Sequence, residues 1–237
     1  QRDLTSFIFK GGDKAQPKSW RPITLCNTEY KILAMILGNR LKRTLGDVCS
    51  INQFACIPGK SRTNAILQML GAYGDGVGLL CVDQSKAFDT VHRGVLQQVL
   101  RRLGYPPNFR RWISVVYEGA SVRLSINRFT SQPIRLWSGL RQGCPLSPLL
   151  YTLYAELMIS VFRHGSRTEP FHEVVSFHYM DDAVLLTRSR EDQERIQTLL
   201  AEYGAMTGSL INNEKTKLIC REPQEGPFTR EATGRIL

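Results

Sequence analysis

Phe177-His-Tyr-Met-Asp-Asp-Ala-Val-Leu-Leu186 decides how this chain is read. Two runs rich in β-forming residues, 174–179 and 183–187, flank Met180-Asp181-Asp182. Runs this short, aromatic and branched predict two strands joined by a tight turn. Two adjacent carboxylates between apolar strands are costly unless the turn faces water or binds cations. A third carboxylate has a similar setting: Asp83 ends the apolar run Gly78-Leu-Leu-Cys-Val82. If one sheet joins these strand ends, the three carboxylates form an oxygen-only donor set. Mg²⁺ takes such ligands, keeps several waters and is completed by substrate phosphates. Two such ions, about 3.5–4 Å apart, activate a hydroxyl and stabilise the leaving oxygen in phosphoryl transfer. A solvated turn explains an Asp-Asp pair equally well, and spacing alone does not separate the two.

Outward from this centre, strands and helices mix irregularly. Residues 1–21 read as irregular, broken by Gly11-Gly12 and Pro17. A helix is expected from Thr28, taken as its N-cap, with Ile32, Leu33, Ile36, Leu37, Leu41 and Leu45 on its apolar face and Gly46 as its stop. Ile57-Pro58-Gly59-Lys60 reads as a turn before a short helix from about Thr63. Helices follow near 93–103 and 108–118, divided by Gly104-Tyr-Pro-Pro107, and a hairpin near 121–126 and 132–137. Gly143-Cys-Pro-Leu-Ser-Pro148 opens a long apolar helix to Phe162. A charged helix spans about 190–205, and 216–220 reads as a last strand. The order predicts an α+β fold with a mainly antiparallel sheet packed on helices.

Of 237 residues, 42% are hydrophobic and 22% charged, which suits a folded globular chain. No run reaches the roughly 18 apolar residues of a membrane span. The longest, Leu146 to Phe162, is interrupted by Ser147, Pro148, Thr152, Glu156 and Ser160. The charged start Gln1-Arg2-Asp3 is unlike a secretory signal and reads as a piece of a longer chain. Cysteines 26, 49, 56, 81, 144 and 220 form no CxxC pair, and histidines 92, 164, 172 and 178 stand at no ligand spacing from them. Reduced thiols are expected rather than a zinc site. The net charge of +10 is unevenly spread. Residues 1–62 hold 11 Lys/Arg against 4 Asp/Glu, and residues 101–141 hold 8 Arg against one Glu. Two basic blocks around a carboxylate cluster suit a bound polyanion; solvated surface charge is the plainer explanation.

Six ordered motifs resemble the reverse transcriptase family, and within it the non-LTR (LINE-type) retrotransposon enzymes. Ser19-Trp-Arg-Pro-Ile-Thr-Leu25 with Tyr30-Lys-Ile-Leu33 is similar to the fingers segment. Gln53-Phe-Ala-Cys-Ile-Pro-Gly-Lys-Ser-Arg62 resembles the next fingers block. Val82-Asp-Gln-Ser-Lys-Ala-Phe-Asp89, Gly139-Leu-Arg-Gln-Gly-Cys-Pro-Leu-Ser-Pro148, Tyr179-Met-Asp-Asp182 and Leu210-Ile-Asn-Asn-Glu-Lys-Thr216 resemble the four palm motifs in order. Met180 departs from the Ala usual in LINE-type enzymes and is more like the retroviral ones.

The resemblance implies one reverse transcriptase domain over 1–237, with fingers over about 1–77 and palm over about 78–237, the latter carrying an inserted helical and hairpin segment over about 93–137. The thumb is expected to be absent, together with the endonuclease and nucleic-acid-binding regions of full elements. The implied activity is addition of deoxynucleotides to a DNA primer on an RNA template. Asp83 and Asp181 would bridge two Mg²⁺ ions, with Asp182 in support; Mn²⁺ is an alternative ion. Gln84 would lend a backbone carbonyl. Arg21, Lys10 and Lys14 would hold the triphosphate, because guanidinium and ammonium groups match phosphate oxygens. Gln142-Gly143 would lie against the nucleotide and template base, glycine allowing close backbone approach. Lys215 would protonate the leaving pyrophosphate. Phe88 would exclude a ribose 2′-hydroxyl, or serve as a core aromatic. His178 reads as an alternating strand residue.

Three other readings stay open on sequence. An RNA-dependent RNA polymerase would share the carboxylates and use an acid such as Asp89 near the sugar. A group II intron maturase would share the chemistry. A decayed or domesticated fragment would only bind nucleic acid. Action in the nucleus is expected from the resemblance, with the cytoplasm as the alternative, and neither secretion nor a membrane is expected.

Overall fold

Leu4, Phe7 and Ile8 stand at a spacing that a helix would also use, yet the computed structural model makes Asp3–Phe9 a strand. Residues 3–74, 76–165, 174–220 and 227 are described; His172 and the rest of the segment after 220 lie outside them. In chain order the elements begin with β1 (Asp3–Phe9), β2 (Trp20–Leu25), α1 (Thr28–Lys42), α2 (Leu45–Val48) and α3 (Arg62–Ala72). Next come β3 (Gly78–Val82), β4 (Gln84–Ser85), α4 (Ala87–Thr90), α5 (Arg93–Arg102) and α6 (Pro107–Tyr117). β5 (Ser121–Ile126), β6 (Phe129–Thr130), β7 (Ile134–Arg135) and α7 (Ser147–His164) follow. The chain ends with β8 (Ser176–Tyr179), β9 (Asp182–Thr187), α8 (Arg190–Thr207), β10 (Leu210–Ile211) and β11 (Lys217–Ile219).

The chain forms two compact units, each made of two segments. The first comprises residues 1–44 and 88–151. Its sheet runs β2-β1-β5-β6, with β7 also on β5; β1 pairs antiparallel with β2 and parallel with β5. The irregular start expected at 1–21 is therefore corrected. Local sequence misled because β1 owes its register to distant partners, down to Asp3, whose buried carboxylate meets Arg141 Nε at 3.1 Å. Arg141 also donates to the Val116 carbonyl and lies against the rings of Tyr30 and Tyr117.

Helix α1 also departs from expectation. Its N-cap is Asn27 rather than Thr28, it ends at Lys42, and Leu45 begins α2. The buried face is Tyr30, Ala34, Leu37, Gly38 and Leu41, while Ile32 and Ile36 stay half exposed. At Gly38 the helix comes close to α7: a Cβ there would lie 3.2 Å from Leu149 Cδ1, tighter than usual packing.

The second unit comprises residues 45–87 and 152–237. Its sheet, β11-β3-β9-β8, is antiparallel throughout. One face carries Leu80, Val82 and Leu185 against Met158 and Phe162 of α7 and Ile196, Leu199 and Tyr203 of α8. The other carries Leu79, Phe177 and Leu186 against Phe54 and Ala65. Cover on both faces explains why β3 and β9 read as nearly continuous apolar runs. Helix α8 is capped as its sequence suggests: the Ser189 side chain accepts from the Asp192 N–H, and Gly208, at φ 73°, stops it. Among the described residues the six cysteines are thiols rather than disulfides. Among the described residues no helix is long and apolar enough to cross a membrane.

Candidate catalytic carboxylates and nucleotide-facing groups

Backbone register assembles the carboxylates. Strands β8 and β9 pair Tyr179 with Asp182, leaving Met180 and Asp181 as the hairpin loop, with Met180 in the left-handed region at φ 60°. A non-glycine residue pays strain there. Strands β3 and β9 pair Val82 with Ala183, so Asp83, one residue on, comes level with Asp182. Asp83, about a hundred residues before the Asp181-Asp182 pair, thus shares one end of one sheet with it. The turn bearing Lys215 is fastened to the same place. The Asp83 N–H donates to Thr216 Oγ1 (3.3 Å), and the Asp83 carbonyl accepts from the Asn212 N–H (2.8 Å). The Lys215 N–H donates to the Asn212 carbonyl within this turn.

The electrostatics record the crowding. Partial burial pushes the Asp182 carboxyl above its ordinary range, and Asp181 and Asp83 add repulsion, while Arg62 opposes them. Carboxylates crowded at one sheet end favour a cation there, and their oxygen-only donors match a hard divalent ion. The side chains do not close into a cage: among the described residues no three His, Cys, Asp or Glu groups are gathered tightly enough to hold a metal. Arg62, at the start of α3, was not singled out from sequence, although it ends the second fingers-like block. Its guanidinium lies 4.7 Å from the centre of the Tyr179 ring, next to the aspartates.

Gln84 and His178 belong to the interior of this unit. The Gln84 side chain is buried, accepting from the Tyr203 hydroxyl (3.4 Å) and donating to Met158 Sδ (4.0 Å), while its backbone pairs with Ile211 of β10. His178 is enclosed in β8 against Phe162, and burial pushes its pKa down to about 3, leaving the ring neutral.

The remaining expected residues lie in the first unit. Along the β1–β2 hairpin, Ile8 faces Arg21 and Phe9 faces Trp20. Strand alternation therefore puts Arg21 and Lys10 on one face, both exposed, and Phe9 on the other. Lys14 Nζ lies over the Phe9 ring at 5.6 Å, away from the Arg21 face. Gln142 and Gly143 press on β2: the Gln142 carbonyl accepts from the Thr24 N–H (2.7 Å). At Gly143, with φ 103°, a Cβ would meet the Thr24 carbonyl oxygen at 2.5 Å, with Ile23 of the Arg21 face beyond it. Gln142 Nε2 donates to Asp89 Oδ1 (3.4 Å), so the acid weighed as a ribose-hydroxyl acceptor has a partner within the protein. Phe88 is half-buried and stacks on Tyr151, with ring centres 4.6 Å apart.

Residues 10–231 match the family described as reverse transcriptase (RNA-dependent DNA polymerase). The chain is 32% identical over 226 residues to the transposon TX1 uncharacterized 149 kDa protein of Xenopus laevis, covering 91% of this chain and 17% of that protein. It is 29% identical over 246 residues to the retrovirus-related Pol polyprotein from type-1 retrotransposable element R2 of Nasonia vitripennis, covering 95% of this chain and 23% of that one. The chain thus spans about a fifth of the length of these relatives. Among solved structures it resembles Candida tropicalis telomerase in complex with a TWJ fragment of telomeric RNA, with TM-score 0.65 and 12% identity over 91% of this chain and 40% of that one. Candida albicans telomerase matches with TM-score 0.59 and 14% identity, over 95% and 43%. These likenesses show a polymerase fold of α+β type.

Proposed function

Because this chain belongs to the reverse transcriptase family, in its non-LTR retrotransposon branch, we propose that it is the polymerase core that adds deoxynucleotides to a DNA primer on an RNA template. The observation that carries this reading is the register that brings Asp83 level with Asp182, beside the Asp181 turn. In this reading Asp83, Asp181 and Asp182 would hold Mg²⁺, or Mn²⁺ in its place. When bound, two such ions supply Lewis-acid stabilisation of the attacking and leaving oxygens.

The chain's own groups do the rest. Arg21 and Lys10, sharing one face of the β1–β2 hairpin, grip the triphosphate by charge-assisted hydrogen bonds. Lys14 joins them only by leaving the Phe9 ring. Gln142-Gly143 offers a flat backbone surface to the incoming nucleotide. Phe88 limits space at the sugar, and Lys215 gives its proton to the departing pyrophosphate. Gln84 contributes through its backbone carbonyl alone, since its side chain is buried. The fingers are assigned to about 1–77 and the palm to about 78–237, with action in the nucleus as for an element that primes on chromosomal DNA.

Primer extension on an RNA template with Mg²⁺ tests the proposal. The wild-type chain is expected to extend the primer. Asp181→Asn is expected to abolish extension while template–primer binding is largely retained, because phosphate contacts by Lys and Arg dominate affinity. Extension by Asp181→Asn at the wild-type rate would remove the aspartates from the mechanism.

A further inference from the structure

A cavity of about 370 Å³ opens in the first unit, between the last turn of α1 and the start of α6. Its walls are aromatic. Tyr105 and Phe109 stack with ring centres 5.5 Å apart, and Trp112 follows Phe109 by three residues, on the same face of α6. Trp112 leaves 49% of its surface exposed. Arg40 of α1 completes the rim. The walls are held by hydrogen bonds within the fold: Thr44 Oγ1 and the Tyr105 hydroxyl are 2.8 Å apart, and Arg110 Nε donates to the Tyr105 carbonyl (3.1 Å).

Charge selects the occupant. Residues 93–117 contain five arginines and no Asp or Glu, and residues 30–46 contain four Lys/Arg and no acid. A lone exposed tryptophan is ordinary on a protein surface. Three aromatic rings around a cavity with Arg40 at its rim, beside chain segments richer in arginine and lysine than in acid, are the features that stack unpaired bases while holding phosphates. A duplex keeps its base faces stacked internally, whereas a single strand presents them.

We propose that this pocket is a stacking site for an unpaired nucleobase of a single strand, in a unit that holds none of the three aspartates. The proposal stands independently of the polymerase reading.

Fluorescence anisotropy with the whole chain tests it, using labelled RNA and DNA oligonucleotides, each compared with an abasic strand of equal length. The wild-type chain is expected to bind base-bearing strands more tightly than abasic ones. Trp112→Ala is expected to weaken binding of base-bearing strands by about tenfold and to leave the abasic affinity unchanged, while Trp112→Phe restores most of the loss. A preference for RNA or DNA leaves the base-dependent gap in place and supports the site. Asp181→Asn is expected to show the same gap, so failure of the polymerase reading would not be mistaken for failure of this one. Equal wild-type affinity for base-bearing and abasic strands overturns the proposal. So does a Trp112→Ala protein that keeps the full gap, which would leave the face to another class of partner.

Discussion

One substitution separates the packing role of Phe88 from the sugar-gating role proposed for it. Its ring stacks on Tyr151 within its own unit, which makes it a packing residue whatever else it does. Phe88→Val removes ring volume, and loss of the aromatic pair alone costs about 0.5–1.5 kcal/mol beyond area burial. If the ring also limits space at the sugar, the variant incorporates ribonucleotides more readily relative to deoxynucleotides. Competition between the two substrates measures this, with the melting temperature recorded alongside. A lower melting temperature with unchanged sugar preference makes Phe88 a core aromatic only.

Glu156 gives a second prediction at this scale. Burial pushes its carboxyl up to about 7 from 4.5, although it accepts a hydrogen bond from the Ser50 N–H and Lys60 lies near. A raised folded pKa means that the folded state holds the proton more tightly than the unfolded chain. The contribution is complete below about pH 4.5 and is lost as pH rises through about 7. Glu156→Gln keeps the neutral shape and is expected to flatten that decline. His178, neutral when buried, adds a slope of opposite sign, lost as pH falls from 6.5 towards about 3. It cancels when unfolding curves of wild type and variant are subtracted.

Among elements, the loop before α7 depends on β2 more than its sequence suggests. A side chain at Gly143 meets two obstacles, a left-handed backbone and the Thr24 carbonyl oxygen. Backbone strain of this kind costs about 1–3 kcal/mol. Gly143→Ala is expected to push the loop off β2, break the Thr24–Gln142 hydrogen bond, and raise KM for the nucleotide in extension assays. Calorimetry is expected to show a stability loss of about that size. An unchanged KM would place the loop away from the nucleotide.

For the whole molecule, a net charge of +10 overstates the positive charge free to meet phosphates. Arg141 is buried against Asp3, and Arg93 donates to the carbonyls of Gly139, Leu136 and Ser138. The exposed remainder still predicts binding governed by counterion release, with log K falling by roughly 0.7–0.9 per phosphate contact for each unit of log salt. Titration from about 50 to about 200 mM salt is expected to weaken template binding by several powers of ten if about 6–10 phosphates are contacted. An affinity that hardly changes would contradict a phosphate-dominated interface.

The sequence alone determined the strands either side of Asp181 and Asp182, the strand leading to Asp83, and helices near 93–103, 108–118 and 190–205, which the structure places at 93–102, 107–117 and 190–207. In each, local pattern and tertiary environment agree: turn residues, proline and glycine breaks, and apolar spacing all act within a few residues. Ordered motifs also made the family legible, because the chemistry of a carboxylate site needs particular residue types. Only the tertiary structure decided that 3–9 is a strand, since its register comes from β2 and β5. It alone showed that Ile32 and Ile36 stay half exposed while Tyr30, Ala34, Leu37, Gly38 and Leu41 form the buried face of α1. It placed Arg62 over Tyr179 and Lys14 over Phe9, and enclosed the Gln84 side chain. The physical reason is common to these cases. Sequence pattern reports which residues can be buried or charged, while strand register and helix rotation are set by contacts between residues far apart in the chain, which no local window contains.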